Sequence, residues 1–155
     1  MCIIIDANFA ADLFADPKNA DNAPVISWLF DKGKDGIMVY GGKLAEELFI
    51  IRQAHRSIRT LAQAGRAMAI SDKEVNTQQG KVLAMNICQS DDPHIIALAQ
   101  ISGARTLCSH DGALHGDFKN KALIDGPRGS IYQNEKHSRL LKHTPSCIKP
   151  RKPLK

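Results

Sequence analysis

Two aspartates directly follow short apolar stretches that read as buried strands. Asp6 comes after the isoleucine run at 3–5, and Asp111 comes shortly after the stretch TLC in TLCSHD. In a parallel sheet, ligands gather beyond the carboxyl ends of the strands, so both carboxylates are expected at the same edge. Capping of the following helix would also explain either aspartate taken alone.

A third carboxylate lies in the segment KLAEELFIIRQAHRSIRTLAQAG, which predicts one helix from Lys43 to Gly65. At 3.6 residues per turn, one stripe of this helix is expected to face the core. The stripe contains Leu44, Leu48, Ile51, His55, Ile58 and Ala62. Glu47 borders the stripe and could face a cleft, whereas Glu46 points away as a solvated charge. For His55, a hydrogen-bonded core role is favoured over metal ligation.

The segment SDDPHIIALA supplies a fourth acid at the start of another helix. Asp92 occupies the N-cap position before Pro93, so capping alone would justify an aspartate there. Asp91 would then lie outside the helix. The pair still matters, because adjacent carboxylates beside an apolar helix repel each other unless a cation or solvent relieves them.

These acids need a fold that positions them, and the chain alternates short apolar strands with longer helical patterns. This alternation predicts βαβ units and a parallel sheet. The predicted strands are CIIID (2–6), GIMVY (36–40), RTLCS (105–109) and SIYQ (130–133). Helices are predicted over 22–33, 43–65, 71–87 and 92–103. Ser71 and Glu74 have the spacing of a capping box at the start of the third helix.

The composition is that of a soluble globular protein. The chain has 155 residues, 43% of them hydrophobic and 24% charged, which suits a single α/β domain with a real core. No apolar stretch is long enough to cross a bilayer, and the opening isoleucines lack the features of a signal peptide, so a cytoplasmic location is expected. The four cysteines form no CxxC pair, which predicts reduced thiols rather than a disulfide framework or a zinc knuckle. They are Cys2, Cys88, Cys108 and Cys147.

Positive charge is concentrated at the end of the chain. All 16 acidic residues lie at or before Glu135 with 14 of the 21 basic ones, which leaves residues 1–135 with a formal charge of about −2. Seven basic residues and no acid follow. We therefore predict a domain over 1–135 and a basic, flexible tail over 136–155, suited to phosphate backbones or an acidic partner. A solubilising terminus without a ligand is the alternative.

Four segments together resemble the motifs of the PIN domain, a family of metal-dependent nucleases that includes the ribonuclease toxins of bacterial toxin-antitoxin pairs. The segments are IIIDAN, KLAEEL, SDDPHIIALA and LCSHDGALHGDF, in the family's order and spacing over roughly residues 1–120. The resemblance implies a three-layer α/β/α fold with a central, mainly parallel sheet. The basic extension after Glu135 lies outside the family's pattern.

The resemblance also implies which residues form the site. Catalytic, metal-binding carboxylates are expected at Asp6, Glu47, Asp92 and Asp111, with Asp117 as a candidate fifth metal ligand. Asn8 and Ser109 match small polar positions that support the acidic site. Asp92 is preferred to Asp91 because DPHIIALA fits the register of the family's D-x-x-I/Y-x-A-L-A pattern.

Oxygen ligands with no cysteine or histidine pair nearby favour Mg²⁺ or Mn²⁺ over zinc. The expected activity is Mg²⁺-dependent hydrolysis of RNA. Candidate partners are an antitoxin or another protein and a second copy of the chain in a homodimer, and no association with a membrane is expected. Candidate contacts to RNA are Arg52, Arg56, Arg59, Lys149, Arg151 and Lys152. A solvated helix face is an alternative account of the three helical arginines.

Two other functional classes stay open. One is a non-catalytic PIN-like module that binds nucleic acid or a protein partner. The other is a doubly wound phosphatase or receiver-like domain, which also uses acids at strand ends, but the chain has no phosphorylation-site lysine motif or phosphate loop for it.

Overall fold

The computed structural model describes residues 1–147, and in this range the chain is an α/β protein built as a three-layer α/β/α sandwich. The strands are β1 (Cys2–Ile5), β2 (Ile37–Gly41), β3 (Ala67–Ile70), β4 (Thr106–Cys108) and β5 (Ser130–Tyr132). The helices are α1 (Ala7–Ala15), α2 (Ala23–Phe30), α3 (Gly42–Ile50), α4 (Arg52–Gln63), α5 (Asp72–Met85), α6 (Pro93–Ser102) and α7 (Gly112–Phe118). A 3-10 helix spans Glu135–Lys142. None of these helices is long and apolar enough to cross a membrane.

The sheet is parallel throughout, in the order β3-β2-β1-β4-β5. The chain moves outward from β1 to β2 and β3, and then returns to β4 on the other side of β1. Right-handed connections place helices on opposite faces for these two directions, and the contacts of α1 with α4 and of α5 with α6 fit that arrangement, whereas α3 contacts helices of both groups. The order therefore reverses between β1 and β4, where ligands of such sheets usually bind.

The α/β class and the parallel sheet predicted from the sequence are confirmed, and the four predicted strands correspond to β1, β2, β4 and β5. The prediction missed β3, whose four residues AMAI include two alanines and carry no strand pattern. By contrast, β1 is buried on both faces, as its continuous apolar run indicates.

The segment predicted as one helix from Lys43 to Gly65 is instead two helices. Ile51 separates α3 from α4 because its backbone is extended, with φ −84° and ψ 108°. The break changes the face that points inward, so the predicted core role of His55 is wrong and its side chain is exposed. The buried side chains of α4 are Ala54, Ile58 and Leu61.

The start of α3 is fixed by two glycines and a carboxylate from another element. Gly42 has φ +58°, and a Cβ there would lie 2.7 Å from Cγ1 of Val75, so only glycine fits. Its N–H donates to Oδ1 of Asp72 on α5 at 3.0 Å. Asp72 thus supplies from α5 an acceptor that α3 lacks in its own N-cap residue, Gly41. This contact sets the position of α3 and of the glutamates that it carries.

The packed chain continues beyond residue 135. The 3-10 helix contacts α2 and β5, and Leu141 and Thr144 are buried. Lys136, Arg139 and Lys142 are exposed on this part of the chain. The end of the packed chain therefore does not coincide with the predicted boundary at residue 135.

Cys2 and Cys147 form a disulfide between residues 145 apart, with Cα atoms separated by 5.3 Å. The expectation of four reduced thiols is wrong for this pair, which has no local spacing that could reveal it. Cys88 and Cys108 are free. The tail residues Lys149, Arg151 and Lys152, predicted to bind nucleic acid, lie outside the described residues.

Candidate acidic site

Asp6 lies at the carboxyl end of β1, next to the carboxyl end of β4. Its backbone N–H continues the ladder by donating to the carbonyl of Cys108 at 3.0 Å. The side chain is buried, and Oδ2 accepts from the hydroxyl of Ser109 at 3.0 Å. Although Asp6 is the N-cap residue of α1, its side chain makes no capping hydrogen bond. Capping therefore does not explain this carboxylate.

Asp111 has a different local role. Its Oδ1 accepts from the backbone N–H groups of Ala113 and Leu114, at 3.0 and 3.3 Å, and so caps α7. Its own N–H donates to the Ser109 hydroxyl oxygen at 3.1 Å. Ser109 is thus hydrogen-bonded to both Asp6 and Asp111, two acids that are far apart in the sequence. The cap accounts for one oxygen of Asp111 and leaves Oδ2 without a hydrogen-bond partner among the described residues.

Glu47 is held by a histidine that the sequence analysis did not single out. Its Oε1 lies 2.9 Å from Nε2 of His94, which is buried on α6, while the Glu47 side chain is about one-third exposed. The neighbouring Glu46 is exposed and lines a different surface cavity. The choice of Glu47 over Glu46 by helical position therefore agrees with the contacts of α3. The signal for His94 was its place in SDDPHIIALA, in the first turn of a largely apolar helix.

Asp92 lies at the N-cap of α6, and its side chain makes no capping hydrogen bond. Burial raises its pKa, and the negative charges of Asp6, Glu47 and Asp111 raise it further, while His94 lowers it. Desolvation disfavours the ionised form, and nearby like charges add to that effect. Asp92 is therefore close enough to the other three acids to interact with them electrostatically.

Interactions of the same kinds change the pKa of Asp6. Burial raises the pKa of Asp6, and the charges of Glu47 and Asp111 raise it further, whereas the Ser109 hydroxyl and the backbone N–H of Ala7 lower it. The four carboxylates proposed from the sequence thus lie within electrostatic range of one another. In residues 1–147, the only ion pair is that of Glu47 with His94, so no cation neutralises Asp6 directly.

Asp117 has a structural role in this arrangement. Its carboxylate is buried and accepts three hydrogen bonds, from the backbone N–H of Gln89 at 2.9 and 3.1 Å and from that of Ser90 at 2.9 Å. These contacts fix the loop that leads into Asp91 and Asp92. Both oxygens of Asp117 are therefore occupied by backbone donors.

The donor types fit a hard divalent cation, because all four acids offer carboxylate oxygens. The side chains are not gathered tightly: within residues 1–147, no group of three His, Cys, Asp or Glu residues is close enough to hold a metal ion. Asn8, predicted to support the site, has an exposed side chain that makes no hydrogen bond to the rest of residues 1–147. Ser109 is instead supported from α7, where Nε2 of His115 contacts its carbonyl oxygen at 2.6 Å.

A basic pocket lies on α4, the helix that follows the one carrying Glu47. It has a volume of about 190 Å³ and is lined by Arg52, His55, Arg56 and Arg59. All four side chains are exposed, and no carboxylate of the described residues lies within ion-pair distance of them. The ring of His55 packs against Phe49 with centroids 4.9 Å apart. The three predicted arginines therefore share one surface, which His55 joins.

Comparison of the chain with protein-family models, with curated proteins and with solved structures gave no match. What the protein does is therefore inferred from its residues and their geometry.

Proposed function

We propose that the protein is a Mg²⁺- or Mn²⁺-dependent endoribonuclease of the PIN type, with its active site at Asp6, Glu47, Asp92 and Asp111. The observation that carries this proposal is the buried carboxylate of Asp6. It sits where the strand order reverses, it caps no helix, and it interacts electrostatically with Glu47 and Asp111. A fold gains no stability from an unneutralised acid in that position, and a bound cation would relieve it.

The roles of the individual residues follow from their contacts. Asp6, Glu47, Asp92 and Asp111 would hold the cation. When bound, a divalent cation in such a site activates water and stabilises the charge that develops on a phosphodiester. Ser109 orients Asp6, and His94 orients Glu47, each through one hydrogen bond. Asp117 is assigned to the loop before Asp92 and not to the cation.

The basic pocket on α4 supports a nucleic acid as the substrate. Three guanidinium groups without acidic partners suit consecutive phosphates of a backbone, which Arg binds through paired hydrogen bonds. Lys149, Arg151 and Lys152 of the tail would add further phosphate contacts. A toxin of a toxin-antitoxin pair is one setting for such an enzyme, and an RNA-processing enzyme is another.

A non-catalytic module that binds nucleic acid or a protein partner is the second candidate. The observation that favours it is the loose spacing of the acids, since no three of them in residues 1–147 are close enough to bind one ion. The two candidates differ in a simple respect. Only the enzyme cleaves RNA in a metal-dependent way, whereas both bind it.

The test is RNA cleavage by the purified full-length protein with Mg²⁺ or Mn²⁺. We expect cleavage of single-stranded RNA that EDTA abolishes and added Mn²⁺ restores. Glu47→Gln should reduce the rate at least ~10-fold, because even indirect support of a metal site is typically worth that much. Glu46→Gln is the matched control on the same helix turn and should stay within about twofold of the wild type, because Glu46 lies outside the cluster.

Cleavage that persists in EDTA, or equal losses in the two variants, would contradict the proposal. RNA binding without cleavage by the folded wild-type protein would support the non-catalytic module instead.

A further inference from the structure

A second basic cavity lies at the opposite edge of the sheet from the acidic site. Its volume is about 200 Å³, and it opens beside the amino ends of β4 and β5. The cavity is lined by Arg105, Thr106, Pro127, Arg128, Ser130, Leu140, His143 and Pro145. This lining combines two arginines, a histidine and two hydroxyl side chains, and it contains no acidic residue. Such a set of donors suits an anion.

Arg105 distinguishes this cavity from an ordinary basic surface. The residue is only 8% exposed. Nη1 donates to the carbonyls of Ala99 at 2.7 Å and Ala104 at 2.9 Å, and Nη2 donates to that of Asp125 at 3.0 Å. Its Nε is buried and has no hydrogen-bond partner among the described residues. The guanidinium therefore carries a buried charge, and its Nε–H group is unpaired among the described residues.

No carboxylate of residues 1–147 pairs with Arg105 at ion-pair distance. Burial lowers its pKa, while the charge of Asp125 raises it in part. A buried cation that has carbonyl partners but no counter-ion stays costly, and leaving a buried donor unsatisfied adds to that cost. An anion in the adjoining cavity would relieve the charge. Arg128 and His143 line the same space and would add donors from its exposed side.

The far wall of the cavity is held in place by the end of the packed chain. Leu140 and Pro145 supply its apolar part. The hydroxyl of Thr144 donates to the carbonyl of Leu140 at 2.7 Å, and the N–H of Cys2 donates to the carbonyl of Pro145 at 3.2 Å. The cavity is thus formed by elements that are hydrogen-bonded to one another, so little ordering is needed when a ligand enters.

We propose that this cavity is a phosphate-binding site, separate from the acidic cluster, for inorganic phosphate or the phosphate group of a mononucleotide. Arg is the side chain best suited to hold phosphate oxygens through paired, charge-assisted hydrogen bonds. The cavity volume limits the ligand to a small one. The site does not depend on the proposed nuclease activity, because none of its residues belongs to the acidic cluster.

The test is calorimetric titration of the full-length protein with inorganic phosphate at constant ionic strength. Arg128→Ala removes an exposed lining residue, so the fold should persist, which circular dichroism would verify. We expect this variant and His143→Ala each to weaken phosphate binding about tenfold, the loss typical of one charge-assisted hydrogen bond. Lys81→Ala removes an exposed positive charge on α5, outside both basic cavities, and is the matched control, which should change the affinity by less than about twofold. Arg59→Ala, in the basic pocket on α4, tests the competing location for phosphate.

Wild-type protein that shows no phosphate binding above the response to sodium chloride would overturn the proposal. So would a loss of binding in Arg59→Ala but not in Arg128→Ala, since the phosphate would then occupy the pocket on α4. Parallel titrations with adenosine 5′-monophosphate and adenosine distinguish the source of the phosphate. Tighter binding of the monophosphate than of inorganic phosphate would identify a nucleotide site, and equal or weaker binding would identify a site for free phosphate.

Discussion

Asp6 illustrates how a single residue can serve a site at the expense of the fold. Its carboxylate is buried beside other acids, and its raised pKa reflects burial first and neighbouring charges second. The native state therefore holds the Asp6 proton more tightly than the unfolded chain does. Between the ordinary pKa of 3.8 and the raised native value, stability falls as the pH rises. The loss is complete once the pH exceeds the native pKa.

Asp6→Asn should consequently stabilise the metal-free protein at pH 7 while abolishing cleavage. The asparagine side-chain oxygen can still accept the hydrogen bond from Ser109. For a chain of this size, each kcal/mol gained raises the melting temperature by about 2–4 °C. Calorimetry in EDTA at pH 7 and at pH 3 checks this, because the advantage of the variant should shrink once Asp6 is protonated. A lower melting temperature for Asp6→Asn at pH 7 would show that the carboxylate is stabilising.

Asp117→Ala should have the opposite effect. It removes the acceptor of three backbone hydrogen bonds from Gln89 and Ser90. Hydrogen bonds to charged groups contribute about 1.5–3 kcal/mol, so we expect a decrease of at least ~2 kcal/mol in the free energy of unfolding. Urea denaturation measures the decrease, with Asp35→Ala as the control, because the Asp35 side chain is exposed and makes no hydrogen bond to the described residues. Normal stability with weakened Mg²⁺ binding would instead make Asp117 a metal ligand.

For single residues, the sequence predicted the location of a side chain where its place along a strand or helix was sufficient. Asp6 and Asp111 could be placed at one sheet edge because each follows a strand, and Glu47 could be separated from Glu46 by helical angle. The contact between His94 and Glu47 joins residues 47 positions apart, and no local pattern predicts it. Asp117 shares a motif with Asp111, yet its partners lie in a loop 27 to 28 residues earlier. Tertiary contacts decided both roles.

Among the elements, the break between α3 and α4 shapes the surface most. Ile51 is a β-branched residue in a sequence with helical periodicity on both sides, so the break was not predictable from propensity. Its effect is to expose His55 beside Arg52, Arg56 and Arg59. In a continuous helix, His55 would face the core, and the three arginines would lie on the helix surface without it. The pocket on α4 thus depends on a break in what the sequence presents as one helix.

Arg56→Ala should weaken RNA binding without affecting stability, because the side chain is exposed. If Arg56 contacts a phosphate, the slope of log affinity against log salt should become shallower by about 0.7 on single-stranded RNA. Lys81→Ala removes an exposed positive charge from α5 and is the matched control. Fluorescence anisotropy at several salt concentrations measures both. Equal changes in the two variants would mean that net charge, and not the pocket, attracts RNA.

In the molecule as a whole, the net negative and the net positive charge lie in different parts of the chain. Residues 1–135 carry a formal charge of about −2, and seven basic residues with no acid follow. Three of the seven, Lys136, Arg139 and Lys142, belong to the packed 3-10 helix. Only the last four, from Lys149 onward, lie beyond the described residues. The packing of the 3-10 helix that carries the first three could not be predicted, since its one buried residue, Leu141, gives no periodic signal.

Deletion of residues 149–155 should reduce the affinity for RNA. The salt dependence should become shallower by up to ~0.7 for each phosphate of a single strand that these residues bind in the full-length protein. The cleavage rate at saturating RNA should be unchanged, because the proposed metal ligands lie at or before Asp111. The same salt series, together with single-turnover kinetics, tests both expectations. An unchanged salt slope would point to an acidic protein partner for these residues.

The hydrogen bond from Ser109 to Asp6 spans 103 positions of the chain. It requires β4 to insert beside β1, the first strand, after six helices and two other strands have been made. Such long-range closure is slow compared with the formation of local helices. On the ribosome, Asp6 emerges early but has to wait for the residues around Ser109 before its environment exists. The proposed nuclease site should therefore be incomplete in a nascent chain until most of its synthesis is finished.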